Sequence, residues 1–330
     1  MTTGTGGVAH NAPNAIVWDN HACMPLRPGD TDFLPELARH RAAGFRIVTL
    51  NIGMDMTPWD QIMGVAETFR RWIEDNADRY VQIKSADDLD LAIQTDRLGV
   101  LFDLEGGAAL DGKLERLEIL HALGVRWMLF AYNQNNLLAG GCMGQDTGLT
   151  PFGRDVLQEI NRLGIIPCCS HVGEISSLQI MEHSTGPVIL SHANPRAVWD
   201  HARNVSDAVL DACAQTGGVV GINGVGPFLG KNDNSTEAFI RALDYAVDRI
   251  GADHVGLGLD FVFDRQELDD WIQANRDRFP DADDYASGMK LIEPERLPAI
   301  QTSLEKLGYS TADIRKIFGE NWARVARQVW

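Results

Sequence analysis

The chain has 330 residues, 45% hydrophobic and 23% charged, proportions that suit a globular protein able to bury a large core. Its formal charge of −17 argues against nucleic acid and anionic membrane surfaces as partners, because both demand a basic face. No stretch approaches the ~20 apolar residues that cross a bilayer, and five cysteines, two of them adjacent at Cys168-Cys169, do not form a secreted disulfide pattern. A cytoplasmic location is the expectation.

Residues 1–14 are rich in Gly, Thr and Asn and lack a basic segment followed by an apolar run, so they are expected to be a flexible lead-in rather than a signal peptide. Eight short apolar runs follow, at 15–19, 45–51, 99–104, 126–132, 165–171, 187–192, 217–223 and 254–260. Each reads as a strand. Segments with helical periodicity lie between them: 31–43, 59–76, 86–95, 113–123, 151–163, 176–183, 206–215 and 236–250. Ser85 supplies an N-cap, and Thr150-Pro151 places proline at a first helical position. Residues 264–295 break the pattern and are expected to form a long, partly helical insertion over one end of the fold. Two helices, about 294–306 and 310–329, close the chain.

Eight strands alternating with helices predict an α/β fold, a single (β/α)8 TIM barrel over residues 15–330 with a C-terminal helical extension. A doubly wound sheet shares the alternation, but its glycine-rich turn is missing: the first run ends in Asp19-Asn20-His21-Ala22-Cys23.

In such a barrel every strand end points to one mouth, so residues far apart in sequence converge there. His21 and Cys23 are two apart at a strand end, a spacing that turns both to one side, and imidazole and thiolate both bind Zn²⁺. Glu105 ends the third strand before two glycines and could bridge two metals. His171 and His192 end successive strands, each after a serine. Five ligands suit two ions, one on His21, Cys23 and Glu105, the other on Glu105, His171 and His192, with positions left for a bridging hydroxide that attacks the substrate. Asp260, closing the eighth strand, could take the proton from that water or hold a substrate ammonium. Arg203, after the sixth strand, could clamp a carboxylate or stabilise an oxyanion. Tyr132, at the end of the fourth, offers a hydroxyl to the same oxyanion, and Asn136 and Asn223 are candidates for a polar substrate pocket.

The segments Gly148-Leu-Thr-Pro-Phe-Gly-Arg, Ser170-His171-Val, Pro187-Val-Ile-Leu-Ser-His192-Ala-Asn, Arg203-Asn204-Val and Gly258-Leu-Asp260-Phe, in that order, resemble the membrane (renal) dipeptidase family of binuclear zinc metallopeptidases and its soluble bacterial members. The resemblance implies a barrel of the metal-dependent hydrolase (amidohydrolase) type, dipeptide hydrolysis and a homodimer. It also implies two Zn²⁺ ions per chain, or one if the Cys23 site is weak. The family's bridging glutamate falls on Glu105, its metal histidines on His21, His171 and His192, its substrate arginine on Arg203 and its late aspartate on Asp260. The chain departs from the family at His21-Ala22-Cys23, where His-x-Asp is usual, and at Tyr132, where the best-known members carry histidine. These departures make a related non-peptide amide, ester or lactone the alternative substrate.

Overall fold

The computed structural model describes residues 15–274 and 288–330, so the lead-in expected over 1–14 lies outside the described residues. The strands are β1 (Trp18–Cys23), β2 (Ile47–Met54), β3 (Tyr80–Gln82), β4 (Leu98–Glu105), β5 (Val125–Leu129), β6 (Ile166–Cys168), β7 (Leu190–Ala193), β8 (Val220–Ile222), β9 (Val255–Leu257) and β10 (Phe261–Val262). All described pairings between them are parallel, in the order β6-β5-β4-β2-β1-β9-β8-β7. A parallel bridge between Cys168 and Ile189 joins the two ends of that order. It is held by Cys169 N–H donating to Ile189 O (2.9 Å) and Ile189 N–H to Pro167 O (3.0 Å). The result is a nearly closed eight-stranded (β/α)8 barrel, as expected.

Two short strands were not expected. β3 pairs with the first half of β4 (Tyr80 opposite Leu98), and β10 pairs with the end of β1. Two or three residues among charged neighbours carry no periodic signal. The expected first strand, 15–19, also proves too early: pairing to β2 and β10 carries β1 on to Cys23, so His21 and Cys23 lie within the strand rather than after it.

The connecting helices are α1 (Leu37–Ala43), α2 (Trp59–Asp75), α3 (Ala86–Gln94), α4 (Glu115–Leu123), α5 (Pro151–Leu163), α6 (Glu174–His183), α7 (Asp207–Gln215), α8 (Gly226–Leu229), α9 (Thr236–Ile250) and α10 (Arg265–Ala274). The caps read from sequence form: Ser85 accepts from Asp88 N–H, and Thr150 from Gly153 N–H with Pro151 behind it. α10 begins the expected insertion after the eighth barrel strand. At the C-terminus the expected helix 310–329 is divided into Thr311–Arg315 and Asn321–Val329 by a wider turn at Lys316–Glu320. Gly319 occupies that turn, where an added Cβ would stand 2.6 Å from Ile16 O. Among the described residues no helix is long and apolar enough to cross a membrane.

Strand alternation sorts the buried residues into two populations. Val48, Leu50, Val100, Phe102 and Leu104 face outward and pack in one cluster with Val65 and Phe69 of α2. Trp18, Ile47, Leu101, Trp127, Ile166 and Ile189 face the lumen and share a second cluster with Trp322, Val325 and Ala326 of the last helix. Along the inward positions, polarity rises toward the C-terminal mouth. β2 presents Ile47, Thr49 and then Asn51; β4 presents Leu101, Asp103 and then Glu105, all buried. The lumen is therefore apolar at one end and carries its chemistry at the other.

The apolar end depends on Trp322. Its Nε1–H donates to Leu257 O (3.1 Å), and its ring fills the space left by Gly256 and Gly221. Trp322→Ala is expected to cost about 3–5 kcal/mol in unfolding free energy, read from the denaturant midpoint. A loss below about 1 kcal/mol would mean that the helix does not hold the barrel closed.

Candidate metal centre

At the polar end of the lumen, four side chains meet. His171 Nε2 lies 2.9 Å from Glu105 Oε1 and 2.9 Å from His192 Nε2. His192 Nε2 is 3.2 Å and His21 Nε2 3.5 Å from the same Glu105 oxygen. The His21 and His192 rings stack with centroids 3.9 Å apart. Cys23 Sγ is 3.4 Å from His21 Nε2, and Asp260 Oδ1 is 3.6 Å from that nitrogen. All five metal ligands expected from sequence are thus brought together, and Asp260 joins them.

Local backbone irregularities make this convergence possible. A regular strand would turn alternate residues inward, yet Trp18 and His21 both face the lumen. Between Asp19 and Ala22 the register of β1 slips against β2, three steps matching two, and that bulge reverses the alternation. β7 slips in the same way between Leu190 and Ala193, so Ser191 and His192 both turn inward. His171 reaches the lumen through a left-handed backbone (φ 62°), and Asp260 (φ 57°) and Asn133 (φ 59°) share that conformation. Such conformations are uncommon outside glycine, and three of the six positive-φ non-glycine residues among the described residues lie at this mouth.

A surrounding layer of side chains, which the sequence reading missed, orients the ligands. His21 Nδ1–H donates to Asp103 Oδ2 (2.7 Å), and that oxygen also accepts from Trp127 Nε1–H (3.3 Å). His171 Nδ1–H donates to Asn133 Oδ1 (2.7 Å), and Ser191 Oγ lies 2.9 Å from His192 Nδ1. Asn51 Nδ2–H donates to Glu105 Oε2 (2.9 Å), leaving Oε1 toward the histidines. One signal for Asp103 was in the sequence: it stands two residues before Glu105 on one strand and so on the same face.

Burial and mutual charge set the protonation. Burial, with Arg203 and His21 adding to it, holds His171 and His192 well below the ordinary imidazole range, so both are neutral. For His21 burial opposes the charge, but Asp103, Cys23 and Glu105 together outweigh it and push its pKa well up. Burial pushes Glu105 up to about 8 and the Cys23 thiol up to about 12. With Nδ1–H of His21 and His171 committed to oxygen acceptors, their Nε2 atoms face one carboxylate oxygen. Imidazoles, a carboxylate and a thiol in contact are a donor set that fits a divalent cation such as zinc, whose charge would displace the proton that His21 otherwise holds. Among the described residues, groups close enough to share an ion include His21, Glu105 and His192, then His21, Cys23 and Asp260, and, by the distances above, His171, His192 and Glu105.

The remaining sequence candidates divide. Tyr132 lines the cavity above the cluster with its ring stacked on His171 (centroids 4.4 Å), and burial with Glu105 and Asp260 nearby keeps the phenol protonated far above its usual range. Asn223 is buried; its Nδ2–H donates to Asp260 Oδ2 (2.9 Å), so it holds the aspartate rather than facing substrate. Asn136 is spent on structure: its amide donates to Asp55 (3.0 Å) and Phe130 O (2.8 Å), and its Oδ1 accepts from Leu138 and Ala139 N–H. Arg203 lies 1% exposed behind the cluster, where Nη2–H donates to His192 O (2.8 Å) and the guanidinium covers Phe228. It does not line the cavity that holds Glu105, Tyr132, His171 and Asp260.

Comparison with known proteins places these residues in context. The sequence pattern of the family described as Membrane dipeptidase (Peptidase family M19) matches residues 37–275, a span that begins after His21 and Cys23. A dipeptidase of Claviceps purpurea, tcpJ, is 31% identical over 269 residues, 80% of this chain, while the chain spans only 58% of that relative. An uncharacterized protein from the pqqA 5′ region of Klebsiella pneumoniae is 30% identical over 82% of this chain and 96% of its own length. Among solved structures, an amidohydrolase from Pseudomonas aeruginosa superimposes with a TM-score of 0.86 at 28% identity, covering 98% of both chains.

If the outer layer orients the ligands, Asn133→Ala and Asp103→Asn each weaken zinc binding about 10–100-fold. Competition with a chromophoric chelator measures this; affinities equal to wild type would assign those contacts to packing alone.

Proposed function

The chain belongs to the membrane dipeptidase family and is a metal-dependent hydrolase, and from that premise we propose that it hydrolyses dipeptides at the cluster around Glu105, with zinc as its metal. The observation that carries the reading is the meeting of His171 Nε2, His192 Nε2 and Glu105 Oε1 within 3.2 Å. In this reading Glu105, His171 and His192 hold one ion, and Glu105, His21 and Cys23 hold a second, with occupancy of one per chain if the thiol site is weak. Zinc there supplies Lewis acidity, which acidifies water toward neutrality and polarises a carbonyl.

The chain's own groups do the rest. Asp260 is the proton carrier: Asn223 fixes Oδ2, and Oδ1 stands on the cavity side, 3.6 Å from His21 Nε2. As water adds to the scissile carbonyl carbon, its proton passes to Asp260; when the C–N bond breaks, Asp260 returns that proton to the departing amine nitrogen. Tyr132, kept protonated by its surroundings, donates a hydrogen bond to the oxygen of the tetrahedral carbon. Arg203 touches no substrate in this scheme. It is a positioning residue that holds the His192 backbone and lays a positive charge behind Glu105. The catalytic unit is one domain over residues 15–330, working as a homodimer, and its five free thiols favour a reducing compartment such as the cytoplasm.

A second reading, a non-peptide amide, ester or lactone, is favoured by the placement of Arg203: the expected clamp for a peptide carboxylate is buried away from the cavity. A panel of L,L and L,D dipeptides against zinc-loaded protein separates the two. Turnover that is lost with a chelator and restored by zinc is the expected outcome, and no turnover of any dipeptide would leave the second reading. Asp260→Asn is expected to lower kcat about 10²–10⁴-fold with zinc content unchanged; wild-type turnover in that variant would remove Asp260 from the mechanism. For the thiol, Cys23→Ser should lower zinc content and Cys23→Asp preserve it, and full occupancy in the serine variant would make Cys23 a packing residue.

A further inference from the structure

The cavity above the cluster has a volume of about 350 Å³, within the range of small-molecule sites. Its floor is polar, but its walls are not. Five methionines line it, Met24, Met54, Met56, Met143 and Met289, from four separate segments of the chain. α10 forms another wall. Its sequence is amphipathic, with Leu268, Trp271 and Ile272 at the i, i+3 and i+4 spacing of one helix face, and all three line the cavity. Phe228 and Val225 extend the same surface. Methionine side chains are flexible and polarisable, so such walls can mould to more than one large apolar group.

The ionisable groups point the same way. Among the described residues the one arginine or lysine lining this cavity is Arg27. Three carboxylates claim it: Asp30 at 2.6 Å, Glu267 at 3.0 Å and Asp264 at 3.3 Å. Asp264, Glu267 and Asp260 line the cavity as well. An acidic substrate side chain entering here would meet a paired arginine and several like charges, whereas a leucine-, methionine- or phenylalanine-sized group would leave water for apolar walls.

We infer that this site selects dipeptides bearing a bulky apolar side chain and discriminates against acidic ones, with Trp271 and its neighbours on α10 as the specificity determinants. The inference rests on the dipeptidase reading above and names the substrate class of that same site.

The test is a kcat/KM series on zinc-loaded wild-type protein with Ala-Ala, Leu-Ala, Ala-Leu, Phe-Ala, Ala-Phe, Glu-Ala and Ala-Glu. At least one position should favour Leu or Phe over Ala about 10-fold or more, and both Glu substrates should fall below Ala-Ala. Trp271→Ala should shrink the ratio of the preferred apolar substrate to Ala-Ala about 10-fold; Met289→Ala, on a different segment, should move it in the same direction. Ala-Ala cleaved as well as every apolar member, or a Glu substrate cleaved best, would overturn the inference while leaving dipeptide hydrolysis intact. Cleavage of none of the seven, in either L,L or L,D form, would instead bring down the dipeptidase reading, and this inference with it. Because the wild-type series decides by itself, a variant that failed to fold would not rescue the proposal.

Discussion

The structure turns on one crowded contact: three imidazoles and a carboxylate share a space in which their nitrogen and oxygen atoms stand 2.9–3.5 Å apart. Buried in this way, such a set is costly unless every lone pair has a partner, and burial, the largest of the effects acting on it, pushes Glu105 up to about 8. A divalent cation is the partner that satisfies imidazoles and a carboxylate together. The hydrogen bonds to Asp103 and Asn133 and from Asn51 face outward from the contact, so each ligand is turned by its far side toward the same point.

Placing that contact at the mouth requires the barrel to break its own rules locally. Alternation fills the lumen with Trp18, Ile47, Leu101 and Trp127 at one end, and these packed side chains fix the strands on which the polar layer rides. Regular alternation would then have sent one of each pair Asn20–His21 and Ser191–His192 outward. Two bulges and the left-handed backbone of His171 bring the histidines in. The apolar end holds the lattice in place, and the irregular end holds the chemistry.

This division also decides what could be read from the sequence. Eight apolar runs and the helical segments between them carry strong periodic signals, so the barrel and most helices were legible. His21, Cys23, Glu105, His171, His192 and Asp260 were legible because strand ends converge, a property of the architecture rather than of contacts. The orienting residues were not. Asn133 sits in a loop among similar amides, and which of Asn133, Gln134, Asn135 and Asn136 meets a histidine is decided by loop conformation. Asn136 instead ties that loop to Asp55. Arg203 was expected in the cavity because it follows a strand end, but its guanidinium is drawn back to the His192 carbonyl and Phe228. The apolar face of α10 was hidden by the acidic residues that share its helix, and its role follows only from the cavity it walls.

The proposed chemistry requires this cluster to be a metal centre, and anomalous diffraction from crystals grown with zinc tests that most directly. Difference maps collected above and below the zinc edge should show density beside Glu105 Oε1, flanked by His171 and His192 on one side and by His21 with Cys23 on the other. Clean maps with no anomalous density among these side chains, in protein that keeps its fold, would contradict it.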